Sequence, residues 1–302
     1  KVGETLEKLS NVAGTTRSAD VAILYDWENN WALNDAQGFG LQSKQYTQTV
    51  QEHYRPFWER DIPVDVITKE QEFSDYKLLV VPMLYLMSLE TISRLKAFVA
   101  NGGTIVSTYI TGVVDEHDLT YLGGWPQDLQ DIFGMKPLET DTLYPSNRNA
   151  VRYGNKVYDL KEYATILKVE QAKIEGEYLE DFYAATPAVT SHSFENGKAY
   201  YIGGRLNQDF HADFYGHLID DLNLNPILSV QHGEGVSVQA RQSETEDIIF
   251  VMNFTEKSQV VVFEKPVWDI IDDKELLGEV ELEKYAVKIV TKPFKRKIHR
   301  EE

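Results

Sequence analysis

Asp115, Glu116, His117 and Asp118 stand together in one polar stretch, offering groups that can act as acid, base or ligand. Glu177 with Glu180 makes a second carboxylate pair. Glycoside hydrolysis needs two carboxyls roughly 5 to 10 Å apart across a sugar. In a chain with 48 acidic residues, spacing along the sequence does not show that arrangement, and solvated surface accounts for both sets. His211 and His217 are six apart, which misses the i, i+4 spacing of a helical zinc pair. Asp209 and Asp213 have that spacing but read as a solvated face, so no metal is expected. No G-x-S-x-G elbow or Walker sequence occurs. Cysteine is absent, which removes thiolate metal sites, disulfides and the nucleophile of an amidotransferase-like hydrolase. No cofactor is expected.

Aromatic residues near strand ends are more suggestive. Trp27 and Trp31 follow a buried run at residues 19–25, inside Asp26-Trp27-Glu28-Asn29-Asn30-Trp31. That segment has no glycine, so backbone amides cannot close on phosphate as in a nucleotide loop. Tyr109, Tyr121 and Trp125 lie on or near the loop after a second buried run, and both sets can meet at one sheet edge. Core packing, a sugar platform and a subunit interface all use such residues.

The elements that would position these groups alternate. Residues 19–25, 62–67, 78–82 and 104–109 are short apolar runs, the pattern of strands buried on both faces. Between them, residues 42–60 carry a stripe through Tyr46, Val50 and Phe57, with Pro56 predicting a kink or a break. Leu89, Ile92, Leu95, Phe98 and Val99 mark another helix, with Ser88 as N-cap and Asn101-Gly102-Gly103 as stop. Such alternation predicts right-handed crossovers and a parallel sheet with helices on both faces. The carboxyl edge of an open α/β sheet is where ligands and partners gather. Residues 127–134 predict one short helix; residues 138–188 lose periodicity and read as short antiparallel strands and loops. Residues 189–194 and 199–203 predict a hairpin turning at Asn196-Gly197, and a helix over 207–222 closes the domain. After Asn223-Leu224-Asn225-Pro226, runs at 236–240, 248–253, 260–263, 268–271, 280–282 and 286–290 predict a small antiparallel β domain.

The domains expected are therefore 1–18, an opening helix with Val2, Leu6 and Leu9 on one face; 19–226, the α/β domain; 227–291, the β domain; and 292–302, a charged tail. Starting at Lys1 without a cap suggests that something upstream has been cut away. A net charge of -18 argues against nucleic acid. No apolar run approaches the roughly 20 residues of a membrane span, and no signal peptide opens the chain. A cytoplasmic protein is expected.

DVAILYDWENNWAL (20–33), IPVDVI (62–67), YKLLVVPMLYLMS (76–88), FVANGGTIVSTYITGVVDEHD (98–118) and YLGGWPQDLQDIFGM (121–135) resemble the second domain of glycoside hydrolase family 42 β-galactosidases. GKAYYIGGRLNQDF (197–210) continues the resemblance, and FVMNFTEKSQVVVF (250–263) is similar to that family's small C-terminal β domain. The resemblance implies a trimerisation domain with a flavodoxin-like, class I glutamine-amidotransferase-like fold, then a β domain. Residues 1–18 would be the tail of the catalytic barrel's last helix. The family's acid/base and nucleophile glutamates lie in that (β/α)8 barrel, so no catalytic residue carries over onto this chain. The implied partner is a second and third copy of the chain, with a galactoside substrate held by the barrel. Asp26, Trp27, Glu28, Asn29, Trp31, Asp115, His117 and Trp125 are the candidates for a subunit interface or the wall of a neighbouring sugar site. A free-standing carbohydrate-binding module and an independent hydrolase are the readings from other classes.

Overall fold

The computed structural model describes residues 2–17, 19–40, 44–242 and 246–292. It divides into two compact units: Asp20–Pro56 with Val64–Asn223, and Lys1–Ala19 with Phe57–Pro63 and Leu224–Glu302. The expected opening helix is one short piece, α1 (Val2–Lys8), followed by a 3-10 turn at Ser10–Val12. Lys1, Ser18, the Gln42 start of the second expected helix, and the charged tail beyond Lys292 lie outside the described residues.

The first unit begins with β1 (Val21–Leu24), α2 (Trp27–Asp35) and α3 (Tyr46–Trp58). It continues with β2 (Val64–Ile67), β3 (Leu78–Val81), α4 (Leu89–Ala100), β4 (Thr104–Thr108) and α5 (Gln130–Phe133). Then come β5 (Met135–Thr142), β6 (Asn149–Tyr153), β7 (Lys156–Val169), β8 (Lys173–Tyr178) and β9 (Pro187–Phe194). Finally β10 (Gly197–Ile202) and β11 (Gly204–Leu206) lead into α6 (Gln208–Asp221).

These strands form one 11-stranded sheet, in the order β11-β7-β6-β8-β9-β10-β4-β3-β1-β2 with β5 on β7. The block β2-β1-β3-β4-β10 is parallel, with Val21 opposite both Val64 and Leu78, and Thr104 opposite both Leu78 and Lys198. All residues of β1, β3 and β4 are buried, as the uninterrupted apolar runs require. Leu95, Phe98 and Val99 of α4 pack with Leu79, Ile105 and Tyr201 in one core. Removing each such large side chain from water contributes roughly 1.5–3 kcal/mol. Ser88 caps α4 by accepting from Thr91 N–H, and Gly102 leaves it at φ 103°.

Three details depart from the sequence reading. α3 runs through Pro56 without a break; only Phe57 and Trp58 follow it, so the missing N–H disturbs no more than the last turn. Residues 138–188 are not short excursions: β7 alone has 14 residues, and all of this segment's strands extend the same sheet antiparallel. The hairpin turn sits one residue early. Phe194 pairs with Gly197, so Glu195 (φ 50°) and Asn196 make the turn. Gly197 is there for space, because a Cβ would lie 2.1 Å from the Val99 carbonyl oxygen.

The second unit is a six-stranded antiparallel sheet of β12 (Val230–Gln231), β13 (Val236–Gln242), β14 (Asp247–Asn253), β15 (Gln259–Asp269), β16 (Lys274–Leu282) and β17 (Val287–Thr291). Val238, Ile249, Val251, Val261, Phe263 and Val290 centre its core. The runs expected at 260–263 and 268–271 are one strand, β15. Its irregular register between Phe263 and Val267 absorbs Pro266, which cannot donate to a regular ladder. Thr16 pairs with Gln242, so the residues before β1 add to this sheet's edge.

Candidate functional site

The segment after β1 is a helix, and Asp26 starts it. Its carboxylate accepts from Asn29 N–H at 2.8 Å, capping α2, while its own N–H donates to Tyr46 Oη at 3.1 Å. Tyr46 stacks on Tyr25, and Trp27 meets Tyr25 edge-on at 5.2 Å. Buried Asn29 donates to the Met83 carbonyl at 3.0 Å and accepts from Leu86 N–H at 2.9 Å. Asp26 and Asn29 are therefore scaffold, not exposed contacts. Trp27 and Trp31, one turn apart on the same helix, are 59% and 64% exposed.

Lys69, just past the carboxyl end of β2, was not among the candidates. Its ammonium reaches Asp26 at 3.3 Å and Glu28 at 2.8 Å. Burial works to lower its pKa, but the bond to Glu28 and the charge of Asp26 hold it above the ordinary lysine value. The hydrogen bond and charge of Lys69 in turn hold Glu28 below the ordinary carboxylate value. The position of β2 beside β1 is the signal that could have found it, since both carboxyl ends share one edge.

Residues 83–87 join the two candidate segments. Beyond their links to Asn29, Leu84 and Tyr85 carbonyls accept from Gly112, Val113 and Val114, and Met87 N–H donates to Val114. Tyr121 Oη donates to the Met87 carbonyl at 2.6 Å. Asp115 folds its loop by accepting from His117 and Leu119 N–H, and those bonds, led by Leu119, hold its pKa low. His117 is exposed; Trp125 is half-buried, with a buried indole Nε1 that has no partner among the described residues. Tyr109 does not reach this surface: it is buried and stacked on Tyr163 at 5.3 Å. Ile110, at the carboxyl end of β4, holds φ 60°, strained for a β-branched residue. The edge thus presents two exposed tryptophans and an acidic loop on a hydrogen-bonded mount.

Sequence reasoning also missed an ionic cluster around a buried arginine. Arg205 on β11 lies between α3 and β7, bridging Glu52 at 2.9 Å and also binding Glu162. His53 and His211 lie 4.4 Å apart between ring centres, and His53 Nδ1 bonds Tyr215 Oη. Burial first, then the charge of Arg205, depresses His211 to about 3. His211 is therefore a core residue, and His217 packs by Tyr153 instead. Among the described residues no group of three or more His, Cys, Asp or Glu is placed to hold a metal, and no helix is long and apolar enough to cross a membrane.

Residues 19–225 match the family described as the β-galactosidase trimerisation domain, and residues 235–292 match the β-galactosidase C-terminal domain. β-Galactosidase GalA of Bacillus licheniformis is 65% identical over 292 residues, covering 97% of this chain and 43% of that protein. β-Galactosidase GanA of Bacillus subtilis is 64% identical over 290 residues, covering 96% of the chain and 43% of the relative. A catalytic mutant of Gan42B, a β-galactosidase from G. stearothermophilus, superposes with a TM-score of 0.94 at 62% identity, over 96% of this chain and 42% of that one. The chain thus spans under half the length of these relatives. It belongs to the glycoside hydrolase family 42 β-galactosidases, of which it carries the trimerisation and C-terminal domains.

Proposed function

We propose that this chain is the assembly part of a cytoplasmic, homotrimeric β-galactosidase. In that enzyme a (β/α)8 barrel with two glutamates hydrolyses terminal β-D-galactosides with retention. The chain itself is catalytically silent, and its carboxyl edge faces the barrel of a neighbouring copy and helps to wall the sugar site. The observation that carries this reading is the pair Trp27 and Trp31, left exposed on a helix whose cap and buried face are fixed by Asp26, Asn29, Tyr46 and Lys69. Exposed aromatics on a rigid mount suit an interface or a sugar platform, since little entropy is lost on contact. Glu28, Asp115, His117 and Trp125 complete the surface.

An amidotransferase-like fold fits the parallel block β2-β1-β3-β4-β10. Trp31→Ala and His117→Ala in the full-length enzyme test the interface reading. The expected result is a weakened trimer or a raised KM for galactosides. Unchanged kinetics together with unchanged oligomer mass would contradict it.

A further inference from the structure

Asparagine followed by glycine occurs twice in the chain, at Asn101-Gly102 and Asn196-Gly197. The fold fixes both pairs and brings them side by side. Gly102 takes φ 103° at the end of α4, a conformation that residues with a side chain rarely adopt. Gly197 has no room for a Cβ, which would meet the Val99 and Gly103 carbonyl oxygens at 2.1 and 2.4 Å. A Cβ on Gly102 would in turn lie 3.8 Å from the Asn196 carbonyl oxygen. Neither glycine can be exchanged, so each asparagine keeps a neighbour whose backbone nitrogen no side chain shields.

That nitrogen can attack the asparagine Cγ. A succinimide ring forms, and the side-chain nitrogen leaves as ammonia. Water then opens the ring at either carbonyl, giving aspartate or isoaspartate, and no other reactant is consumed. The two sites are protected unequally. Asn196 Nδ2 donates to the Ala100 carbonyl at 3.1 Å, and Gly197 pairs with Phe194 to close the β9–β10 hairpin. Attack at Asn196 must break both holds. Asn101 is exposed, and its side chain makes no hydrogen bond among the described residues. It borders a cleft of about 470 Å³, which gives the side chain room to turn and water a way in. Attack there breaks the bond from Gly102 N–H to the Val99 carbonyl, 2.9 Å long, in the last turn of α4, where helices fray.

We propose that Asn101 is a site of spontaneous deamidation that marks the age of the chain, while Asn196 is spared. The product is a carboxylate at the carboxyl end of α4, where the helix dipole is already negative. Lys77 and Arg94 line the same cleft but are committed elsewhere. Lys77 pairs with Asp20 at 2.9 Å, and Arg94 donates to the Lys69 and Gln71 carbonyls. Isoaspartate also lengthens the backbone by a methylene at the turn that leads α4 into β4. The modified chain is therefore less stable than the fresh one.

Holding the folded chain in warm, mildly alkaline buffer and mapping its peptides by mass spectrometry tests the proposal. Asn101 is expected to convert to aspartate and isoaspartate at least about tenfold faster than Asn196, because it needs the smaller local opening. In urea, with the fold gone, the two pairs are expected to react at similar rates. The aged chain is expected to melt about 1–4 °C below the fresh one. Asn101→Gln, whose longer side chain closes the ring far more slowly, should remove both the reaction and that loss. Its side chain is exposed, so the fold is kept. Equal folded rates at Asn101 and Asn196 would overturn the proposal, as would an Asn101 no faster than asparagines that lack a following glycine. A rate gap that persists in urea would overturn its structural cause. An aged Asn101→Gln chain that loses as much melting temperature as the unsubstituted chain would overturn the effect on stability.

Discussion

In each unit a histidine lies against an ion, buried in the first and partly buried in the second, and the two ions have opposite charge. In the α/β unit, His53 and His211 sit beside the Arg205 guanidinium, and burial with that charge drives both imidazoles neutral. In the β unit, His232 Nε2 lies 2.7 Å from the Asp61 carboxylate and Nδ1 lies 2.9 Å from the Gly233 carbonyl. Two acceptors suit a ring with two N–H donors, so the protonated form is favoured, and the bond to Asp61 leads in raising its pKa. Asp61 in turn accepts from Val238 N–H at 2.7 Å, tying the 57–63 segment to β13. Burial alone disfavours the charged form in both units; the sign of the neighbour decides the outcome.

The contrast predicts how each unit breaks. Arg205→Ala should have the largest effect, because it leaves Glu52 and Glu162 facing each other without their shared cation. Loss of one partner from a fully buried pair costs about 3–5 kcal/mol; because Glu52 and Glu162 are partly exposed the expected loss is smaller, about 2 kcal/mol, readable as a lowered urea midpoint of the α/β unit. Acidification comes next. The unfolded chain protonates His211 near pH 6.5, while the folded chain resists until about 3. Stability therefore falls with pH through that window, by about 2 kcal/mol at pH 5. His211→Gln should flatten the acid limb of the melting profile. Asp61→Asn should act least and in the other direction of pH. His232 stabilises most below pH 6.5 and loses its contribution as pH rises through its raised folded value, so the variant's deficit of about 1 kcal/mol at pH 6 should shrink in alkali. Equal pH responses in the two units would break the comparison.

What the sequence showed follows the same physics of near and far. α4 and β4 were legible because their apolar period, the Ser88 cap and the glycine stop are local. α2 was not legible: among its nine residues it buries only Asn29 and Leu33, so it carries no apolar stripe. The antiparallel extension was hidden because β7 takes partners from β5, β6 and β11, with faces that change along its length. Arg205 looked like any surface cation; its partners Glu52 and Glu162 come from distant elements, and only the folded sheet brings them to it. Of the candidate site, the exposed tryptophans were visible as types, but Lys69 and the 83–87 bridge that fix their mount needed the parallel register.

The central claim is that this chain is built to assemble with copies of itself. Light scattering across a concentration series measures that directly. The account predicts a solution mass approaching three times the 34.6 kDa of the chain as concentration rises. A monomer at every concentration would contradict it.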